Sequence, residues 1–158
     1  MFRPMRRFKQ QLPEAECAQL LHTLPRGVLA VLGDEDYPYA VPVDFWYSQD
    51  DGCLYFHSAP AGHKIESLDR HPKASFCAYD EGYRNEGEWA LNIRSVIVFG
   101  TVSRVEDQQR KEEILWQLGK KYTDDTAYIE KEIAESARRV AILALKMEHV
   151  TGKLVNES

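Results

Sequence analysis

The stretch Cys53-Leu54-Tyr55-Phe56-His57-Ser58-Ala59-Pro60-Ala61-Gly62-His63-Lys64-Ile65-Glu66-Ser67-Leu68-Asp69-Arg70-His71-Pro72 decides how this chain is read. Its first six residues form a strand, with Leu54, Phe56 and Ser58 on one face and Cys53, Tyr55 and His57 on the other. Small residues turn the chain at Pro60-Ala61-Gly62. A short helix then runs from His63 to about Arg70, with Ile65 and Leu68 as its buried stripe and Pro72 as its stop. The start of a helix presents free N–H groups and a partial positive charge, which attract anions. His63 and Lys64 occupy that first turn, where cations are unfavourable. Sequences that break a local rule often do so for function, and a bound phosphate would turn both cations into ligands. Taken alone, the turn also suits a solvated lysine beside a surface histidine.

Upstream, Leu12-Pro13-Glu14-Ala15-Glu16 opens a helix that carries Cys17, Leu20, Leu21 and Leu24 at helical spacing and stops at Pro25. Val28 to Leu32 is a strand closed by the turn Gly33-Asp34-Glu35-Asp36. Tyr37 to Tyr47 is a second strand. Pro38 and Pro42 inside it call for an edge or an irregular stretch, where no ladder donor is needed. Downstream, Lys73 to Tyr79 is a strand, Asp80 to Glu88 a polar loop, and Trp89 to Val105 holds the strongest strand signal, Ser95 to Val102. Asp107 caps a helix bearing Ile114, Leu115 and Leu118; Asp124-Asp125 start a second, with Tyr128, Ile129 and Ile133. Val140 to Met147 is the last strand. Sequential strands without regular helical crossovers predict a mainly β, α+β fold: a six-stranded antiparallel barrel, closed or nearly so. One domain covers 1–158, with residues 1–11 as a flexible or basic arm.

The 158 residues are 44% hydrophobic and 28% charged, with a net charge of −5, which weighs against nucleic acid as a partner. Arg3, Arg6, Arg7 and Lys9 read as a solvated arm. No apolar run resembles a signal peptide or reaches the roughly 18–20 residues that cross a bilayer, so neither secretion nor a membrane is expected. Cys17, Cys53 and Cys77 are odd in number and lack a CxxC, which fits a reducing cytoplasm rather than disulfides or zinc. The five histidines, His22, His57, His63, His71 and His149, show no metal-ligand spacing, and no metal site is expected. No catalytic motif stands out, so any hard chemistry belongs to a cofactor. Phe45, Trp46, Tyr47 and Trp89 suit either a ring contact or a core; Trp116 reads as packing, and Tyr122 and Tyr128 show no special role.

From about Leu12 to Thr151 the chain resembles the FMN-binding split-barrel superfamily related to pyridoxamine 5′-phosphate oxidase, most of all its nitroimidazole-resistance-type flavoproteins. The likeness is carried by Gly27-Val28-Leu29-Ala30, Pro38-Tyr39-Ala40-Val41-Pro42-Val43-Asp44-Phe45 and Leu54-Tyr55-Phe56-His57-Ser58-Ala59. Gly62-His63-Lys64-Ile65 with Leu68 and His71-Pro72, then Ser95-Val96-Ile97-Val98-Phe99-Gly100, complete it. The resemblance implies a split barrel in which Val41, Pro42 and Val43 run along the flavin ring and offer it backbone groups. It implies that His57, Ser58 and Ala59 line the ring and ribityl chain, and that His63 and Lys64 hold the phosphate. Ser95, with Arg94 beside it, falls near the phosphate or ribityl tail. It also implies a homodimer with the flavin between subunits, and FMN-dependent electron transfer from NADH or NADPH to a small organic acceptor such as a nitroaromatic. His63 stands where the oxidases proper carry arginine, so pyridoxamine phosphate oxidation itself is not expected. No side chain is nominated as general acid; His57 is the nearest candidate. Two other readings stay open: a haem- or deazaflavin-handling barrel, with His149, His57 or His71 as axial ligand, and a flavin-binding module without turnover.

Overall fold

A computed structural model describes residues 1–156, and residues 157–158 lie outside the described part. The β-branched and aromatic runs become strands β1 (Arg26–Leu32), β2 (Pro38–Asp44), β3 (Trp46–Ser48), β4 (Cys53–Ser58), β5 (Lys73–Tyr79), β6 (Asn92–Arg104) and β7 (Ala141–Asn156). They form one curled antiparallel sheet in the order β2-β1-β5-β6-β7-β4-β3. The helices are α1 (Glu14–Thr23), α2 (His63–Arg70), α3 (Gln108–Tyr122) and α4 (Thr126–Ser136). The α+β class is as expected, but the described residues form seven strands rather than six.

The extra strand arises at Phe45, where the expected second strand breaks. The fully buried Phe45 gives its N–H to the Tyr122 hydroxyl at 2.9 Å, and its carbonyl accepts from Lys121 Nζ at 2.8 Å. The Tyr122 hydroxyl in turn donates to the Pro25 carbonyl at 2.5 Å. With its backbone groups held by the end of α3, Phe45 leaves the ladder and the chain bends into β3. Tyr122 therefore has a structural role that its sequence context did not reveal. The last strand also runs past Met147 to Asn156, because β6 continues to pair with it beyond a register shift at Phe99/Gly100. The N-terminal arm lies on the sheet: Phe2 stacks on His149 at 4.6 Å and Gln11 bridges Lys153.

Inside the curl, Leu29, Val31, Leu54, Phe56, Phe76, Val96, Val98 and Leu145 pack beneath Cys17, Leu20 and Leu21 of α1. The opposite face of β4 is buried too, since Cys53 and Tyr55 pack with Ile114 and Leu118 of α3. Asp107 and Asp125 cap α3 and α4 through the N–H groups of Arg110 and Tyr128, as their positions predict.

Lys121 sits 3.5 Å above the Phe45 ring, and burial pulls its pKa from 10.5 down to about 8. The unfolded chain then binds more protons between those two values, so this residue makes folding stability rise with pH across that window. Burial raises the pKa of Tyr47, Tyr55, Tyr122 and the three cysteines, which has the opposite effect. A difference measurement isolates the lysine. Between about pH 7.5 and 10, wild type is expected to gain unfolding free energy relative to Lys121→Met. Parallel pH profiles in urea melts would show that Lys121 titrates normally.

Candidate functional site

Gly62 precedes α2 with φ of +120°, a conformation open to glycine and to few other residues, and nothing lies within 4 Å of where its Cβ would be. No side-chain hydrogen bond from the N-cap Gly62 caps α2, which leaves first-turn N–H groups for another acceptor. The helix packs against the sheet. Its Ile65 and Leu68 meet Val102 and Leu143, and Asp69 pairs with Arg104 at 2.7 Å.

The two basic residues of the first turn are placed differently. The His63 ring stacks on Tyr39 at 4.1 Å, and its Nε2 accepts from the Asp34 N–H at 3.3 Å, 3.7 Å from the carboxylate of the same residue. Asp34 is also held by Arg70 at 2.6 Å. Lys64 is half-buried and has neither an acidic partner nor a hydrogen-bond acceptor among the described residues. Burial lowers its pKa, with no compensating anion. It is a cation set up for a counter-charge that the described residues do not supply.

The exit of β4 places an exposed His57, a half-buried Ser58 and an exposed Ala59 ahead of this turn. Val41, Pro42 and Val43 lie on β2, an edge strand paired only with β1, which accommodates both its prolines. Val43 is 8% exposed and belongs to the core, so its side chain is spent on packing; the free edge of β2 can offer backbone groups. Ser95 sits on β6 between Tyr79 and Lys153. It precedes Val102, which packs on α2, by seven positions along the strand. At strand rise that is about 23 Å, so one chain does not bring Ser95 to Lys64. Arg94 is occupied by Asp80, Nε to Oδ2 at 2.8 Å.

Among the aromatic candidates, Phe45 and Tyr47 are buried and Trp46 stacks on Tyr55, whereas Trp89 is 76% exposed. His149 stacks under Phe2 and borders a groove of about 1040 Å³ between α1 and β7; His57 and His71 are exposed. Residue-by-residue reading missed a second feature. On the sheet face away from α1, Val28, Cys77 and Ile97 form a cross-strand row, flanked by Tyr79 and Phe99. Ile97, Phe99 and Tyr79 are 39%, 43% and 64% exposed, and no helix covers them. The signal was present in Val96-Ile97-Val98-Phe99, which is apolar on both faces of one strand.

The chain matches the family model described as pyridoxamine 5′-phosphate oxidase over residues 13–154. No curated protein sequence matches it. Among solved structures it is similar to a candidate 5-nitroimidazole antibiotic resistance protein from Bacteroides thetaiotaomicron, with a TM-score of 0.79 and 21% identity over 92% of this chain and 87% of that one. A FAD-binding protein from Mesorhizobium loti gives 0.68 and 22% over 92% and 97%. A FAD and haem binding protein from Mycobacterium smegmatis gives 0.70 and 21% over 92% and 73%. At these identities the structures share a fold. The family match spans nearly the whole chain and agrees with the split sheet and the open turn before α2: the chain belongs to the pyridoxamine 5′-phosphate oxidase family, within the FMN-binding split-barrel superfamily.

Proposed function

We propose that this protein is a homodimeric FMN-dependent oxidoreductase, passing electrons from NADH or NADPH to a small organic acceptor such as a nitroaromatic. The observation that carries the reading is Lys64, half-buried without an anion at the open, glycine-led start of α2. A flavin phosphate there gains the first-turn N–H groups and a charge-assisted bond, and it removes the cost of the unpaired cation. The flavin supplies the redox chemistry when bound. The chain holds the phosphate with Lys64, flanks it with His63, and presents the free backbone edge of β2 (Val41, Pro42, Val43) to the polar side of the ring. His57, Ser58 and Ala59 border the same opening, and His57 is the nearest candidate for a proton donor.

Ser95 supports a dimer. A site that uses both Ser95 and Lys64 must draw them from two copies, and the exposed apolar row at Ile97 and Tyr79, beside Phe99 on which Phe2 stacks, suits a second copy. Flavin binding by the Mesorhizobium and mycobacterial proteins favours a flavin here, and the Bacteroides protein favours a nitro compound as acceptor. Among the described residues no helix is long and apolar enough to cross a membrane, and the reading places the protein in the cytoplasm.

The test is a purified protein examined by absorbance, by size and under anaerobic NADH and NADPH. A yellow dimer whose flavin bleaches with either donor is expected. A colourless chain that takes up no FMN overturns the proposal. A Soret band favours the haem reading, and bound flavin that neither donor bleaches favours a binding module.

A further inference from the structure

The groove of about 1040 Å³ between α1 and β7 is lined by none of the residues nominated for the flavin. Two local features open it. At one end the Leu12 N–H donates to the Gly152 carbonyl at 2.9 Å, and a Cβ on Gly152 would collide with Cys17 Sγ, so helix and strand touch there. Farther along, the register of β7 shifts against β6, and Glu148 is left without a ladder partner. There α1 presents the small Ala15 and Ala18 to the gap. Bulges of this kind often re-aim a side chain beside a site.

The groove wall also holds an unspent polar group. Tyr47 is 7% exposed, its ring packs against His22 of α1 at 4.7 Å, and its hydroxyl has no hydrogen-bond partner among the described residues. Burial, and after it the charge of Glu14, holds this phenol above the ordinary tyrosine range, which puts the hydroxyl on the Glu14 side, at the groove. A phenol taken out of water without a partner has lost hydrogen bonds that a ligand can restore. The surrounding charges set the sign of that ligand. Glu14 on α1 has no cationic partner among the described residues, and Glu148 on the β7 wall accepts from the Thr101 hydroxyl at 2.5 Å. Lys146 is spent on the Asp51 carbonyl, and His149 stacks under Phe2. Leu21, Met147 and Val150 supply an apolar floor. We propose that the groove binds a small organic cation, a primary amine with an apolar body. Its ammonium takes the Glu14 carboxylate and the Tyr47 hydroxyl as acceptors, and Glu148 keeps the opposite wall negative.

The experiment titrates the purified chain with 2-phenylethylamine, 2-phenylethanol and phenylacetate, which put a cation, a neutral group and an anion on nearly the same body. Backbone amide shifts of Ala15, Ala18 and Val150 are the readout. The amine is expected to bind with a Kd of about 1 mM, ordinary for so small a probe, and phenylacetate about fivefold or more weakly. Tyr47→Phe removes the hydroxyl alone and should weaken the amine by about three- to tenfold. It should leave phenylacetate binding and the melting temperature unchanged, since the hydroxyl has no partner in the fold to lose. Glu14→Gln should weaken the amine by a similar factor and draw the three probes closer together. Equal affinities for the three probes overturn the inference, as does an amine affinity that neither substitution changes. An amine that shifts no groove signal at about 10 mM overturns it as well. A Tyr47→Phe chain that melts several degrees below wild type shows the hydroxyl to be spent on the fold, and does the same. None of these outcomes touches the flavin reading, because no residue of that site is altered.

Discussion

Lys64→Ala is expected to weaken FMN binding by about 1.5–3 kcal/mol, roughly ten- to over a hundredfold in Kd, as for a lost hydrogen bond to a charged group. The same substitution should leave the flavin-free chain as stable as before or slightly more so. In the absence of ligand, Lys64 is a partly desolvated cation at the positive end of a helix, with no acid beside it among the described residues. Removing it relieves an unfavourable placement. The opposite responses of binding and stability separate a ligand-holding lysine from one that merely packs. Lys64→Arg, which keeps the charge, should recover part of the affinity. Fluorescence titration and thermal melts of the flavin-free protein measure the two quantities; an unchanged Kd in Lys64→Ala removes the residue from the site.

Phe76→Ala should destabilise the fold by about 3–5 kcal/mol, as large-to-small changes of buried aromatics do. Phe76 is fully buried at the middle of β5, edge-on to Phe45 at 4.7 Å and tilted against Phe56 at 5.8 Å. Its ring also fills the space beside Gly27, where even a methyl group would collide with it. No neighbour can collapse into the vacated volume, because β1 and β6 are fixed by their ladders on both sides of β5. For a domain of this size the loss corresponds to a fall in Tm of about 6–20 °C. Phe45 leans on this ring and anchors the break after β2, so the edge offered to the flavin should loosen as well. Phe76→Leu, which keeps part of the volume, should cost less. A calorimetric Tm for Phe76→Ala within about 2 °C of wild type would contradict this account of the core.

Much of the fold was legible wherever local chemistry marks an element at both ends. The strand Cys53–Ser58, the helix His63–Arg70 and the strand Lys73–Tyr79 appear where turn residues and Pro72 bracket them. Asp107 and Asp125 cap the helices that follow them. The break at Phe45 was not legible, because its cause, Tyr122, lies 77 positions away. The extent of β7 was hidden for a related reason. Beyond Met147 its composition turns mixed, and only the matching length of β6 keeps it extended. In the candidate site, Lys64 could be singled out from sequence because a cation in a first helical turn contradicts the local field. The capture of His63 by Asp34 could not, since a turn 29 residues earlier had to be folded against α2.

By itself the sequence determined the class of the fold, most of its elements and the place where an anion is wanted. Those properties follow from periodicity, turn residues and helix ends, all of which act within a few residues. Only the tertiary structure decided which strands are neighbours, that Lys64 has no partner among the described residues, and that Ser95 stands at the other end of the barrel. These depend on where distant segments meet, and that is settled by the packing of the whole core rather than by any stretch of chain.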